Sequence, residues 1–169
     1  MVFGNHCSLR CQPSSPLPIP MINVVGNAKS IFEDTHGELI DSGQVIRFNW
    51  GGILDSTSQG SKTNAVITAE RYIDRVKEVY PSVPIIPTDT MPYANKSKHF
   101  IEDCEFTSSG FMVLFWFNES KVQDVNLFGF NWDNVCAYYD VDWVNHVHNY
   151  QEEKKLIHQW IEDNNWKLY

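Results

Sequence analysis

Five short apolar runs limit what this chain can fold into. Residues 21–25, 45–48, 64–67, 83–87 and 125–130 are rich in Val, Ile, Leu and Phe, and Gly, Pro, Asp or Asn stand close to them. They are too short for helices and mostly too continuously apolar for half-exposed strands, which fits strands buried on both faces of a parallel sheet. The run at 83–87 carries two prolines and is expected near an edge. Helical patterns lie between the runs. Ser30-Ile31-Phe32-Glu33 fits a capping box, so a short helix is expected to start there and to aim free N–H groups at Gly26 and Asn27. Ala69, Tyr72, Ile73, Val76, Val79 and Tyr80 recur at helical spacing and predict a helix over 69–80. Residues 111–117 are apolar almost throughout, so periodicity fits helix or strand; helix is preferred because Ser109 can cap it and a strand follows. Tyr150, Leu156, Ile157, Trp160 and Ile161 mark a last helix over 149–163. Strand alternating with helix is the pattern of an α/β fold: a Rossmann-like, mostly parallel sheet with helices on both faces. At 169 residues the chain is one domain.

The rest of the sequence narrows function by exclusion. Residues 1–20, with Pro13, Pro16, Pro18 and Pro20, read as an N-terminal arm. Residues 50–62 read as a long loop, and 88–106 as polar sequence without a clear element. A formal charge of −8 argues against a nucleic-acid partner, and it requires that any anionic ligand find local positive groups. No apolar run approaches the length of a membrane span, so no membrane anchor is expected. The first twenty residues do not resemble a signal peptide, which makes the cytoplasm the expected location. Cys7 and Cys11 lie near His6, but no second pair of ligands stands at zinc-finger spacing; with Cys104 and Cys136 they read as reduced thiols.

Several patterns bear on chemistry. Gly26-Asn27-Ala28-Lys29-Ser30 follows the first strand but lacks the Gly-Lys-Ser/Thr ending of a P-loop and the glycines of a dinucleotide fingerprint. Asp140-Val141-Asp142 offers two carboxylates two residues apart, a spacing that can chelate Mn²⁺ or Mg²⁺. His146 and His148 can be read as metal ligands, as polar residues before a helix, or, for His148, as a general base. Asp140, Asp142, Glu152 and Glu153 supply acids that can orient an imidazole.

Taken in order, a longer set of segments resembles the motifs of the animal-type sialyltransferases, glycosyltransferase family 29. Val24-Val25-Gly26-Asn27, residues 38–42 and Val45-Ile46-Arg47-Phe48-Asn49 are similar to the large sialyl motif, with Gly60-Ser61-Lys62-Thr63 after it. Ser108-Ser109-Gly110 with residues 125–130 is similar to the small motif, Tyr138-Tyr139-Asp140 to the third, and His148 with Glu153 to the very small motif. The resemblance implies that residues 21–169 form a sialyltransferase-like catalytic domain with a variant GT-A-like fold. It implies inverting transfer of sialic acid from CMP-sialic acid to a glycan hydroxyl, with no metal and no other cofactor, which counts against the Asp-x-Asp reading. Carried over by position, His148 is the base. Asn27 and Asn49 contact the nucleotide, Ser108, Ser109 and Gly110 lie along the donor, and Glu153 supports the end of the donor site. Ser30 and Tyr138 complete the expected CMP-sugar contacts.

The chain departs from the family pattern in three places. Ile22 and Val122 stand where the family has a disulfide, as expected of a protein outside an oxidising compartment. Ala137 stands where the family has a side chain that assists the phosphate, which leaves that task to Tyr138, Lys29 or Lys62. The interval between the large and small motifs is short. The alternatives to sialyl transfer are a donor such as CMP-Kdo or another CMP-linked acidic sugar, a non-catalytic CMP- or glycan-binding relative, and a metal enzyme built on Asp140, Asp142, His146 and His148.

Overall fold

A computed structural model describes residues 20–102, 104–133, 137–139 and 148–169. The arm up to residue 19, Cys7, Cys11, Cys136, Asp140, Asp142 and His146 lie outside the described residues. Among the described residues, six strands make one parallel sheet: β1 (Ile22–Val25), β2 (Gln44–Phe48), β3 (Ala65–Thr68), β4 (Ile85–Pro87), β5 (Val125–Phe128) and β6 (Lys167–Leu168). Their order is β4-β3-β2-β1-β5-β6, and every pairing is parallel. The chain therefore steps outward from β1 in one direction and then returns to β1's other side. The fold is the Rossmann-like α/β arrangement expected from the alternation of strand and helix.

Alternation along β1 assigns the two faces. Val24 joins a cluster with Phe111, Leu114, Ile157 and Trp160, beneath α5 (Ser109–Glu119) and α6 (Tyr150–Asn164). Val25 joins Ile31, Ile40, Val45 and Phe128, beneath α1 (Gly37–Asp41). A third cluster, Trp50, Val66, Val76 and Tyr80, carries α3 (Ile73–Val79). Inside the sheet, Asn23 and Asn126 are both buried; Asn126 Nδ2 donates to Asn23 Oδ1 (2.9 Å), and Asn23 Nδ2 donates to Leu39 O and Ile40 O. Ile22 and Val122 both pack as partly buried aliphatic side chains against the core on the α5–α6 face.

The segment after β1 differs from expectation. Lys29–Phe32 is a single 3₁₀ turn whose N-cap is Ala28 with no side-chain bond, so Ser30 and Glu33 form no capping box. Ile31 decides this: it is 2 % exposed, packed against Val25, Ile40 and Phe128, and burying it so close to the strand leaves no room for an α-helix along that line. The crossover helix is α1, further on. The long loop contains α2 (Ser56–Gln59), capped by Asp55 Oδ1, which accepts from Thr57 N at 3.0 Å. Such a helix shows no apolar periodicity because it is one turn long. Helix 69–80 divides into a 3₁₀ turn, Glu70–Tyr72, and α3. Residues 88–106 contain α4 (Ala94–Lys98). In α5 the apolar run is helical and buried on nearly every side, which is why it carries no face signal. Its cap is Ser108, not Ser109: Ser108 Oγ accepts from Phe111 N at 3.1 Å. Asn149 caps α6 in the same manner, accepting from Glu152 N at 3.2 Å. The short edge strand β6 had no sequence signal of its own.

Candidate functional site

A reversal of strand order leaves a crevice where neighbouring strands send their connections to opposite sides, and ligands of open α/β sheets bind outside the carboxyl ends there. In this chain the reversal lies between β1 and β5. A cleft of about 820 Å³ opens at that point. Its floor is built from two glycines. A Cβ on Gly26 would stand 2.4 Å from Gly129 O, and Gly129 has φ +64, so both turns need glycine for the chains to approach this closely.

The turns that follow β1 and β2 supply the two expected asparagines. Asn27 Nδ2 donates to Phe48 O (3.1 Å) and to Tyr139 Oη (3.3 Å), tying the end of β1 to the end of β2 and to residue 139. Tyr138 N donates to Asn27 O at 2.9 Å, and Ala28 bridges Ala137. Asn49 has φ +54, a left-handed conformation that Asn tolerates better than most residues. Its Oδ1 accepts from Thr68 Oγ1 at 3.0 Å, and its backbone N–H donates to Ile67 O. Asn49 is thus fixed by β3 where it borders the cleft. Trp50 forms a wall beside it, in edge contact with Tyr72 and with the Arg75 guanidinium 4.0 Å over its ring.

The opposite side is the start of α5. The N–H groups of Ser109 and Gly110 lie in the first helical turn, where no intrahelical acceptor exists. Glu153, 1 % exposed on α6, holds this end in place: Oε1 accepts from Ser108 N (2.7 Å) and Oε2 from Ser108 Oγ (2.6 Å). Burial raises the Glu153 carboxyl to about 7, against the pull of the two Ser108 hydrogen bonds.

His148 stands one residue before the α6 cap. Its Nδ1 lies 2.7 Å from Phe106 O, an acceptor only, so Nδ1 carries the proton and Nε2 keeps its lone pair. Phe106 and Tyr150 flank the ring edge-on. Burial holds the imidazole below its ordinary value, the bond to Phe106 O opposes this, and the positive charge of Arg71 adds to the lowering. The ring is neutral at pH 7, in the tautomer that can accept a proton.

Of the expected site residues, Asn27, Asn49, Ser108, Ser109, Gly110 and His148 border one cleft. Glu153 lies behind Ser108. Ser30 sits on the 3₁₀ turn away from the cleft lining. Tyr138 is also absent from the lining: its hydroxyl donates to Gly52 O at 2.8 Å, its ring packs edge-on against Phe32, and burial pushes it up to about 12. Tyr139 borders the cleft instead. Lys29 and Lys62 do not reach it either; the Lys62 ammonium is bound to Gly43 O, before the start of β2 and at the far end of the sheet. Sequence reasoning passed over Trp50, Arg71, Tyr72 and Tyr139. A signal for three of them was present: residues just after a parallel strand sit on the ligand side, and Trp50, Arg71 and Tyr72 follow β2 and β3 within four residues.

Comparison with known proteins gives the fold a context. No family model matches the chain, and no curated protein sequence does. Solved structures do. A mammalian sialyltransferase in complex with Gal-β-1-3GalNAc-ortho-nitrophenol superimposes with a TM-score of 0.58 at 16 % identity, over 89 % of this chain and 69 % of that one. The sialyltransferase CstII from Campylobacter jejuni, in complex with the substrate analogue CMP-3FNeuAc, gives a TM-score of 0.56 at 14 % identity, over 89 % and 81 %. A point variant of the sialyltransferase Cst-II in complex with CMP gives 0.54 at 13 % identity, over 89 % and 80 %. The chain shares the fold of these sialyltransferases.

Proposed function

We propose that the cleft is the donor site of a glycosyltransferase that moves sialic acid from CMP-sialic acid to a glycan hydroxyl. The observation that carries this reading is the pairing, in one cleft, of a neutral imidazole held in a single tautomer with a helix start at which Ser109 and Gly110 have no intrahelical acceptor for their N–H groups. The first suits a base and the second an anion. Their place at the strand-order reversal, in the fold of sialyltransferases crystallised with CMP and with CMP-3FNeuAc, supports a CMP-linked acidic sugar as the ligand.

In the proposed reaction, His148 Nε2 takes the proton of the acceptor hydroxyl. That oxygen attacks the anomeric carbon of the sialic acid from the face opposite the phosphate. The bond from the anomeric carbon to the phosphate oxygen breaks, CMP leaves with the electron pair, and configuration inverts. Asn27 and Asn49 hold the nucleotide at the ends of β1 and β2. The start of α5 faces the negative groups of the donor, and Glu153 keeps that start fixed through Ser108. Because N–H donors meet the charge of the leaving phosphate, the reaction as proposed requires no metal.

The test is incubation of the purified chain with CMP-sialic acid and, separately, CMP-Kdo, in EDTA, with a panel of glycan acceptors. Release of CMP with a new glycosidic product from CMP-sialic acid is the expected result. Product from CMP-Kdo alone would change the donor. CMP binding with no release from either donor would make the chain a binding relative. Turnover only after addition of Mn²⁺ or Mg²⁺ would overturn the metal-free mechanism.

A further inference from the structure

The charges around the cleft do not favour an anionic donor. Glu70, Asp89 and Glu105 border it, against Arg71 and Lys98. Lys98 is paired with Asp89 at 3.5 Å. Among the described residues Arg71 has no carboxylate partner. It lies over the ring of Tyr72, 4.8 Å from the centroid, and Tyr72 is braced in turn by the edge of Trp50 at 4.7 Å. Stacking of this kind orients a guanidinium through its face and leaves the in-plane N–H donors open to a ligand.

We propose that the Arg71 side chain binds the phosphate of the donor alongside the N–H groups of the α5 start, from the turn after β3 rather than from the third-motif position, where this chain has Ala137. The inference rests on the donor reading given above. Three features support it. Ala137 borders the cleft with no polar side chain, and Lys29, Lys62 and Tyr138 lie outside its lining. The turn Glu70–Tyr72 leaves the carboxyl end of β3, on the same side of the sheet as Asn27 and Asn49, so a phosphate attached to a nucleoside held there falls within reach of a long side chain. Arg71 is also close enough to His148 for its charge to act on the imidazole.

The test is calorimetric titration of the full chain with CMP, cytidine and CMP-sialic acid, for the wild type, Arg71→Met and Arg71→Lys. The wild type is expected to bind CMP more tightly than cytidine. Arg71→Met is expected to lose about 10- to 100-fold in CMP affinity, the range for charge-assisted hydrogen bonds, with cytidine affinity unchanged and Arg71→Lys intermediate. Arg71 is exposed, so unchanged cytidine binding also reports an intact fold. Equal CMP affinity in the wild type and Arg71→Met overturns the inference and leaves the donor reading standing. If only CMP-sialic acid affinity falls, Arg71 pairs with the sugar carboxylate and the phosphate assignment is wrong. Parallel loss of cytidine binding makes the role structural and also overturns it. A wild type that binds neither CMP nor CMP-sialic acid removes the donor reading, and this inference with it.

Discussion

Substituting Glu153 with Gln isolates the buried carboxyl that holds the start of α5 through Ser108. In the folded chain Glu153 is buried and raised to about 7, from an ordinary 4.5. The folded state thus holds this proton more tightly than the unfolded chain does. The resulting stability is fully present below pH 4.5 and is lost as pH rises through 7. At about 1.4 kcal/mol per pH unit, the rise from 4.5 to about 7 is worth roughly 3 kcal/mol. Glu153→Gln keeps the shape and removes the titration: its carbonyl accepts from Ser108 N, and Ser108 Oγ can turn to accept from the new amide. The assay is urea unfolding of wild type and Glu153→Gln at half-unit steps from pH 4.5 to 8.5, read as the difference in unfolding free energy. Taking the difference cancels other titrations, including that of His148, whose lowered value works in the opposite direction by favouring folding as pH rises. The wild type should lose roughly 3 kcal/mol relative to the variant across this range. A flat difference would refute burial as the dominant influence. A difference that moves in favour of the wild type with rising pH would mean that the two Ser108 donors outweigh burial and hold the group ionised.

Three other substitutions test separate parts of the site. His148→Ala should lower transfer by about 10²- to 10⁴-fold while CMP affinity, read by calorimetry, changes little; full activity would remove His148 from its role. Because the free imidazole lies below its ordinary 6.5, the acid limb of kcat/KM should fall below pH 6.5, and a limb well above 7 would contradict the burial described for the ring. Asn49→Gly keeps the left-handed backbone, which glycine adopts without strain, and removes the amide, so it should weaken CMP binding with little change in melting temperature. Gly26→Ala places a methyl 2.4 Å from Gly129 O and should cost about 1–3 kcal/mol or more by thermal unfolding.

The sequence disclosed those parts of the molecule that are fixed by local chemistry. Short β-branched stretches such as Val24-Val25 and Val45-Ile46 fit best inside a sheet, and the helix pattern ending at Tyr80 calls for a crossover, so five of the six strands found among the described residues and the mostly parallel topology were readable. Lys167–Leu168 was not, because its pairing comes from β5 and not from its own two residues. Ser30 was misread for a tertiary reason: the demand to bury Ile31 outweighed a favourable cap. Ser109 was misread by one position because only the placement of Glu153 shows which serine turns back to close the helix. Asn27, Asn49 and His148, which border one cleft, were singled out through their order in a motif pattern, which carries no distances. Arg71 was not singled out because the lack of a carboxylate partner among the described residues is a tertiary fact, and sequence spacing does not reveal it.

The buried amide pair Asn23–Asn126 has a consequence for the cleft, although it lies near the opposite end of β1. If β5 shifted by one residue against β1, the Asn126 amide would turn to the apolar face and Asn23 Oδ1 would lose its donor, each lost partner costing about 1–3 kcal/mol. The pair therefore acts as a registration pin for the two central strands. With the pin engaged, counting along parallel strands of equal rise brings Gly26 level with Gly129. The two glycines can then make their close approach only in this alignment, and the width of the cleft floor is set by a polar contact buried in the sheet, well away from any ligand. Apolar replacement of both asparagines would be expected to leave a sheet that still forms but no longer has a single alignment, and to impair ligand binding before it unfolds the protein.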